Sequence, residues 1–300
     1  MENNIKYYYN LKDIEVLPMD NNYLVLDKED YSYLFYKVND NIDINNNLKI
    51  LNSLNKNNKY ATLVININNS YITNVNDNNY VLIKLKGIIN EVVDLNEFVK
   101  NNISYRYLNN KKIDLFDLWS KKIDYLEYQI SELSKEHTEV LDSFSFFVGL
   151  AENAIAFINV NNINFDNTHK TLSHLRLKNN TLVIDYYNPL NIIIDYDIRD
   201  YAEYIKSKIL DTDDVLKDIK YILDNANLSV DDIKLFYARL MFPTIYFDKV
   251  EDILLSNIDE KELDVFVDKK GTYIDMLKDT YLEIIKKGIS IDIPNWIIKS

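Results

Sequence analysis

Cysteine is absent from this 300-residue chain, and histidine occurs only as His137, His169 and His174. Without thiolates the chain forms no disulfide, no iron–sulfur cluster and no cysteine-ligated zinc site. Three histidines leave little material for a transition-metal site, which needs several converging nitrogen, sulfur or oxygen ligands. Any metal bound here is therefore expected to have oxygen ligands.

Glycine is almost as scarce, with single residues at Gly87, Gly149, Gly271 and Gly288. The phosphate loop of P-loop proteins and the dinucleotide-binding fingerprint both need several glycines close together, so that backbone amides can approach a phosphate. The serine-hydrolase elbow Gly-x-Ser-x-Gly is missing as well. The missing motifs argue against a P-loop protein, a dinucleotide-binding protein and a serine hydrolase with this elbow.

Basic residues are outnumbered by acidic ones: the chain has 34 Lys and Arg and 47 Asp and Glu, which gives a net charge of −13. Such a field repels phosphate backbones and anionic lipid surfaces, and we expect neither nucleic acid nor a membrane surface as a partner. Hydrophobic residues at 47% are enough to form a packed core. The sequence therefore predicts a folded acidic protein.

Membrane insertion and export are not expected. The N-terminal residues MENNIKYYYN lack the basic and apolar regions of a signal peptide, which predicts retention in the cytoplasm. The most apolar stretch, Phe144–Val160, is shorter than a typical spanning helix and carries Glu152 and Asn153 at its centre. This pattern favours a buried helix of a soluble protein.

The first third of the chain has the pattern of short strands. Runs of β-branched and aromatic residues alternate with asparagine and aspartate turns from Tyr7 to about Lys86. One helix, roughly Asn46–Leu54, follows the third run. The predicted strands are Ile14–Leu17, Tyr23–Leu26, Tyr33–Val38, Ala61–Ile67, Ser70–Thr73 and Tyr80–Leu85. We expect an antiparallel sheet of about five strands and one helix, in an N-terminal lobe of residues 1–87.

Helical periodicity dominates the rest of the chain. In Asp117–Ser134 the apolar residues recur at steps of four and three, which places them on one stripe of a helix. A β-rich interval, Thr171–Ile194, interrupts the helices. The sequence thus predicts a hinge near Lys84–Asn90 and a larger helical lobe, residues 88–300, with a β insertion around 171–194.

Helix boundaries are marked by their own residues. Asp142 and Ser143 are suited to cap the apolar helix that follows them. Ser229 and Asp232 have the spacing of a capping box, and Gly288 has the place of a glycine just beyond a helix C-terminus.

Four segments of the C-terminal part resemble those of a known family. They are GLAENAIAFI (149–158), LSHLRL (172–177), DYDIRDYAEYI (195–205) and ARLMFPTIYFD (238–248). Their order resembles the protein-kinase-like fold of aminoglycoside and choline phosphotransferases, and more closely the spore-coat-associated CotS and YutH branch. The resemblance implies an α+β, two-lobed fold with a small antiparallel β-rich N-lobe and a larger, mainly helical C-lobe.

Two parts that an active kinase of this fold needs lie in its N-terminal lobe, and here one is missing and the other lacks its partner. A glycine-rich loop covers the phosphates, and a strand lysine held by a glutamate contacts them. The corresponding turn, Pro18–Asn22, contains no glycine. Lys37 stands where the resemblance puts the strand lysine, but the helix that follows offers no glutamate.

The catalytic loop of the resembled kinases begins with His-x-Asp, and this chain has His174, Leu175 and Arg176 there. A guanidinium is protonated at all working pH values and accepts no hydrogen bond, so Arg176 cannot serve as a general base. The metal-binding asparagine expected five residues later is Thr181. The resemblance gives His174 a structural role, and gives Asp200, at a helix start, the role of bracing this loop.

The metal-binding aspartate has two candidates, Asp185 and Asp195. Asp185 resembles the strand-borne aspartate of the phosphotransferases, whereas Asp195 lies in the longer segment that resembles the spore-coat branch, and we favour Asp195. We further expect Arg176 to pair with Asp195 or Asp197, so that a fixed cation replaces the metal.

Buried charge raises a separate expectation for the apolar helix. Glu152 and Asn153 need partners if they are buried there. We expect them to contact either the 171–177 loop or Arg239, which is a natural buried counterion.

These observations favour a catalytically inactive kinase-fold protein that acts as a structural or binding component, with the spore coat or another protein as partner and no cofactor. The alternative is an active ATP-dependent small-molecule phosphotransferase that uses Lys37 for ATP and Asp185 or Asp195 for Mg²⁺. The resemblance adds the spore coat to the cytoplasm as an expected location.

Overall fold

The structure is a computed structural model that describes residues 1–19, 22–27, 32–38, 44–48, 61–85, 91–104, 106, 113–133, 137–256 and 258–299. The strands are β1 Ile14–Met19, β2 Asn22–Asp27, β3 Ser32–Val38, β4 Thr62–Val64, β5 Thr73–Val75, β6 Asn78–Leu85, β7 Lys170–His174 and β8 Ile192–Tyr196. The helices are α1 Glu2–Tyr9, α2 at residues 44–48, α3 Leu95–Ser104, α4 Leu115–Leu133, α5 Thr138–Val160, α6 Val183–Tyr186, α7 Ile198–Asp211, α8 Leu216–Asn225, α9 Val230–Met241, α10 Thr244–Ser256, α11 Asp264–Asp268, α12 Lys270–Lys286 and α13 Asn295–Lys299.

The chain divides into two compact units, each built from two stretches. The first unit combines Met1–Asp94 with Asn180–Ile193, and the second combines Leu95–Asn179 with Ile194–Ser300. The hinge expected near Lys84–Asn90 falls largely on residues 86–90, outside the described residues.

The first unit is built on an antiparallel sheet with the strand order β1-β2-β3-β6-β4, and β5 also pairs with β6. A tight turn joins β5 to β6, and its two central residues, Asn76 and Asp77, have φ values of 50° and 61°. Asparagine and aspartate tolerate this left-handed backbone, and it suits the twist of a two-residue hairpin. The small antiparallel sheet expected from the sequence is confirmed.

Both faces of the sheet are covered by apolar side chains. One face contributes Tyr33, Phe35 and Leu82 to a cluster that includes Ile5 and Tyr9 of α1. The opposite face contributes Leu34, Val38, Leu63, Val81 and Ile83 to a second cluster that includes Ile44 of α2, Ile184 and Leu190. Because side chains alternate along a strand, β3 is buried on both sides.

The N-terminal segment differs from the sequence prediction. Tyr7–Tyr9 was expected to open the β-rich region, but the residues lie in α1, where Ile5 and Tyr9 are buried. The Tyr9 hydroxyl hydrogen-bonds the Thr73 hydroxyl at 2.8 Å. Packing of one face on the sheet thus overrides the β propensity of the three tyrosines.

The second unit is mainly helical, as expected. Its α4 buries Trp119, Ile123, Leu126 and Ile130 on the predicted stripe. The apolar helix α5 starts at Thr138 with His137 at its N-cap, so the expected cap at Asp142 and Ser143 is wrong. By length and composition alone α5 is able to cross a membrane, and 44% of its most apolar window is buried inside the protein.

Two other predicted helix boundaries are present. Ser229 caps α9, its hydroxyl accepts the Asp232 N–H at 3.0 Å, and the Asp232 carboxylate accepts the Ser229 N–H at 2.9 Å. Gly288 follows α12 with φ 76°, a backbone conformation that favours glycine.

Candidate functional site

The candidate site of the second unit begins at His174, the last residue of β7. Its backbone N–H donates to Asp200 Oδ1 at 3.0 Å, and its ring Nδ1 lies 2.7 Å from Asp200 Oδ2. Asp200 is in the first turn of α7, and both residues are buried. This pair fixes the end of β7 to the start of α7, and both carboxylate oxygens of Asp200 are used in doing so.

Asp195, in β8, is held by two arginines. Its Oδ1 accepts the Tyr196 N–H and Arg239 Nη2, each at 2.7 Å, and its Oδ2 accepts Arg199 Nη1 at 2.7 Å. The side chains of Asp195 and Arg239 are each 5% exposed. Two guanidinium groups therefore neutralise the carboxylate that the sequence analysis favoured as a metal ligand, and each of its oxygens accepts a hydrogen bond from one of them.

Arg199 also contacts the loop that begins at His174, a contact that the sequence did not predict. Its Nε donates to the His174 carbonyl at 3.1 Å and its Nη2 to the Leu175 carbonyl at 2.9 Å. The spacing of four residues between Asp195 and Arg199 on a strand-to-helix turn is the signal that was available. Arg199 thus connects Asp195 directly to the loop that carries Arg176.

Arg176 does not pair with Asp195 or Asp197, and that expectation was wrong. Its Nε and Nη2 donate to the two carboxylate oxygens of Asp248 in α10, the second at 2.9 Å, and its Nη1 donates to the Leu175 carbonyl at 2.7 Å. Burial alone would lower the pKa of Arg176, but Asp248, Glu203 and Glu251 raise it. The residue at the base position is a cation held in a two-pronged ion pair.

Asp197 has a different arginine. Arg106 Nε donates to Asp197 Oδ2 at 2.5 Å, while Arg106 Nη1 and Nη2 donate to the carbonyls of Asn227 and Ala226. Asp197 is fully buried, and burial raises the pKa of its carboxyl to about 7 although Arg106 opposes the shift. Arg106 gave no signal in the sequence, because it is a lone arginine in an asparagine-rich stretch.

A buried network supports the Asp195 site from α7. Lys206 Nζ donates to Glu203 Oε1 at 2.9 Å, and the Thr244 hydroxyl donates to the same oxygen at 2.7 Å. Burial would raise the pKa of Glu203, but Lys206, Arg176 and Arg199 lower it to about 2. Glu203 is therefore held ionised among the cations of the site.

The expected role of Glu152 was wrong. Glu152 is exposed on α5, and the Asn153 side chain donates to the Gly149 carbonyl of the same helix at 2.6 Å. Arg239 is buried as expected, with Asp195 as its partner and its guanidinium 6.0 Å from the centre of the Trp119 ring.

The Asn179 side chain does not supply a free ligand. Asn179 Nδ2 donates to Asp211 Oδ2 at 2.9 Å, and its Oδ1 accepts the Ser207 hydroxyl at 2.6 Å. The side chain of Asn179 is thus committed to α7, while Thr181 belongs to the other unit.

Lys37 is an exposed residue near the C-terminal end of β3, in the first unit. Strand alternation puts Lys37 on the same face as Tyr33 and Phe35, which pack with α1, whereas Tyr36 packs on the face that includes α2. A kinase lysine must face the helix after the third strand, because that helix carries its glutamate. Tyr36, and not Lys37, has this orientation.

Asp185 lies in the short helix α6 and not in a strand. Burial raises the pKa of its carboxyl. The carboxyl also raises the pKa of Tyr36, although burial is the larger cause of that shift. The Asp185 carboxyl is therefore partly buried and close enough to Tyr36 of β3 to influence its pKa.

Magnesium and ATP are the ligands that a kinase-like fold implies, and the residues do not fit a magnesium ion as they are arranged. Both Asp195 oxygens are occupied by guanidinium donors. Within the described ranges, no three His, Asp or Glu side chains converge as a metal site. Magnesium needs free oxygen ligands in near-octahedral geometry.

The sheet, the helical unit and the arrangement of His174, Asp195 and Asp200 define a protein with the kinase-like fold of small-molecule phosphotransferases. The chain is similar in fold to an aminoglycoside phosphotransferase from Alicyclobacillus acidocaldarius, with a TM-score of 0.66, 11% identity and coverage of 95% and 96% of the two chains. It is also similar to a microcompartment-associated aminopropanol kinase, with a TM-score of 0.60, 11% identity and coverage of 96% and 97%.

The family is narrower than the fold. A family model described as "Spore coat putative kinase YutH" matches residues 2–281, and the chain belongs to this family. A curated relative, the endospore coat-associated protein YutH of Bacillus subtilis, is 28% identical over 182 residues, which span 52% of each protein. The chain thus aligns with about half the length of this relative.

Proposed function

We propose that this chain is a catalytically inactive member of its kinase-like family and acts as a structural or binding component of the spore coat. One observation carries the proposal: each oxygen of the Asp195 carboxylate is engaged by a guanidinium, Oδ2 by Arg199 and Oδ1 by Arg239. Phosphoryl transfer needs a metal ion to neutralise charge on the phosphates, and this carboxylate is the favoured ligand. Two arginines provide a permanent positive charge in place of an exchangeable one.

The loop supports the same proposal. Arg176 stands where the resembled kinases have a proton-accepting aspartate, and its guanidinium is engaged by Asp248. A protonated guanidinium accepts no proton from a substrate hydroxyl. The base and the metal ligand have different roles in the same phosphoryl-transfer step, and loss of either lowers the rate.

The alternative remains an active phosphotransferase that uses Lys37 for ATP and Asp195 or Asp185 for Mg²⁺. The intact His174–Asp200 pair favours it, because the resemblance gives that pair the role of bracing a catalytic loop. With Asp195 as the magnesium ligand, this alternative requires Arg199 and Arg239 to release its carboxylate when nucleotide binds.

Calorimetry with Mg-ATP and with ATP in EDTA separates the two functions. We expect no heat of binding in either titration, and no ADP release with aminoglycosides or amino alcohols as acceptors. Magnesium-dependent binding in the micromolar range, together with ADP release, would refute inactivity. Asp195→Asn and Lys37→Ala would then identify whether these side chains carry the activity.

Association with the coat is proposed from the printed name of the curated relative. The expected result is that an antibody detects the chain in spore-coat extracts of its source organism, with a cytoplasmic enzyme as fractionation control. Detection only in the soluble lysate of vegetative cells would contradict this part of the proposal.

A further inference from the structure

Residues 180–193 leave the helical part of the chain and fold onto the sheet of the first unit. We call this stretch the 180–193 segment. The Val183 N–H donates to the Glu91 carbonyl at 2.8 Å, and the Val93 N–H donates to the Thr181 carbonyl at 3.0 Å. These two bonds attach the segment to the chain that follows β6.

The other end of the 180–193 segment is attached as well. The Ala61 N–H donates to the Tyr187 carbonyl at 3.1 Å. The Asn47 side chain, in α2, donates to the carbonyls of Pro189 and Leu190 at 3.3 and 3.4 Å. Three separate parts of the first unit therefore hold the segment.

Apolar packing fills the space between these attachments. Ile184 and Leu190 are each 3% exposed and belong to the cluster formed by Leu34, Val81 and Ile83 of the sheet. Ile44 of α2 is in the same cluster. Buried side chains pack in close contact in protein interiors, so no other molecule fits between the segment and the sheet at this cluster.

The covered face is the one that a nucleotide needs. In kinases the strand lysine forms an ion pair with the helix after the third strand while it contacts the phosphates, so the nucleotide lies on the helix-facing side of the sheet. Here α2 and the 180–193 segment share that face, and Tyr36 points to it in place of a lysine.

We propose that the 180–193 segment is a built-in occupant of the nucleotide-facing side of the sheet, so that the first unit is complete without ligand. This inference deepens the proposed function and rests on it, because it names an internal substitute for the nucleotide. It differs from the loss of catalytic groups in the second unit, since the excluded step here is binding.

Hydrogen exchange at three backbone amides of the full chain tests whether the 180–193 segment stays bound to the sheet. The amides of Ala61, Val93 and Val183 each donate across the attachment, so their exchange reports its opening. We expect protection within about tenfold of the β3–β6 amides, and no change when AMP-PNP with Mg²⁺ is added at millimolar concentration. Exchange near unfolded-chain rates, or a loss of protection on adding nucleotide, would overturn the proposal.

A matched pair of substitutions links the amides to the packing. Ile184→Asp places a charge in the cluster and is expected to speed exchange at all three amides by more than about tenfold. Val183→Asp, one residue earlier and half-buried, is expected to leave them protected. Should Ile184→Asp unfold the chain, Ile184→Ala provides the milder cavity, and equal exchange in Ile184→Ala and wild type would contradict the proposal.

The outcomes separate this inference from the proposed function. ADP release would refute inactivity and the internal occupant together, because the segment is proposed to exclude nucleotide binding. A chain without ADP release whose three amides exchange freely would refute the internal occupant and leave inactivity standing.

Discussion

Replacing Arg239 by methionine is expected to destabilise the second unit far more than the same replacement at Arg176. Both arginines pair with an aspartate, but the Arg239 side chain is 5% exposed and the Arg176 side chain is 39% exposed. The substitution and the partner residue type are the same at both positions, whereas the burial of the arginine differs.

The magnitude follows from what each replacement leaves behind. Arg239→Met leaves Asp195 buried with Arg199 as its remaining cation, and breaking a buried pair costs about 3–5 kcal/mol. Arg176→Met leaves Asp248 partly exposed to water, and a pair of this kind contributes about 0–1 kcal/mol. We expect a difference of about 3 kcal/mol in the free energy of unfolding between the variants.

Urea unfolding followed by tryptophan fluorescence measures this difference. Trp119 is a suitable reporter because its ring is stacked on Phe242, with centroids 4.4 Å apart, and lies beside Arg239. The double variant Asp195→Leu with Arg239→Met is expected to recover part of the loss. Asp195 is then removed together with its buried partner, and Arg199 keeps its bonds to the His174 and Leu175 carbonyls. Equal costs for Arg239→Met and Arg176→Met would refute the assignment of Arg239 as the buried partner of Asp195.

Three further outcomes are expected. Burial raises the folded-state pKa of Asp197 to about 7 although Arg106 opposes the shift, so the contribution of this carboxyl to stability falls as pH rises from about 4 to about 7, by at most about 4 kcal/mol. Asp197→Asn should flatten this part of the profile of unfolding free energy against pH, measured with urea, and an unchanged slope would contradict the prediction. Ser229→Ala is expected to cost about 1 kcal/mol in urea unfolding through loss of the capping box with Asp232, with exposed Ser145→Ala as control; equal effects of the two would argue against the cap. Lys37→Ala should leave the unfolding free energy unchanged, because the side chain is exposed on the α1 side of β3. A clear loss of stability in urea unfolding would contradict this placement.

Local patterns predicted the parts of the fold that depend on neighbouring residues. The alternation of apolar residues placed β2, β3 and β6 within two residues of their observed bounds. The Ser229–Asp232 spacing predicted a capping box because both hydrogen bonds form within one turn. The helix α1 was missed because its eight residues are stabilised by packing on a sheet that is formed later in the chain.

The site was harder to predict because its partners are distant in sequence. Arg176 and Asp248 are separated by 72 residues, and Arg106 and Asp197 by 91. A charged side chain in an acidic protein has many possible partners, and only the fold selects one. Lys37 illustrates a separate difficulty of sequence reasoning: a shift of one residue along a strand exchanges the two faces of a sheet.

The division of the first unit between two distant stretches has a consequence for synthesis on the ribosome. Residues 95–179 belong to the other unit and must be translated before residues 180–193 appear. At about 5–20 residues per second this interval lasts roughly 4–17 seconds, during which one apolar side of the nascent sheet lacks its cover. The N-terminal part is thus synthesised early but completes its fold late, and we expect chaperones to bind it during that interval.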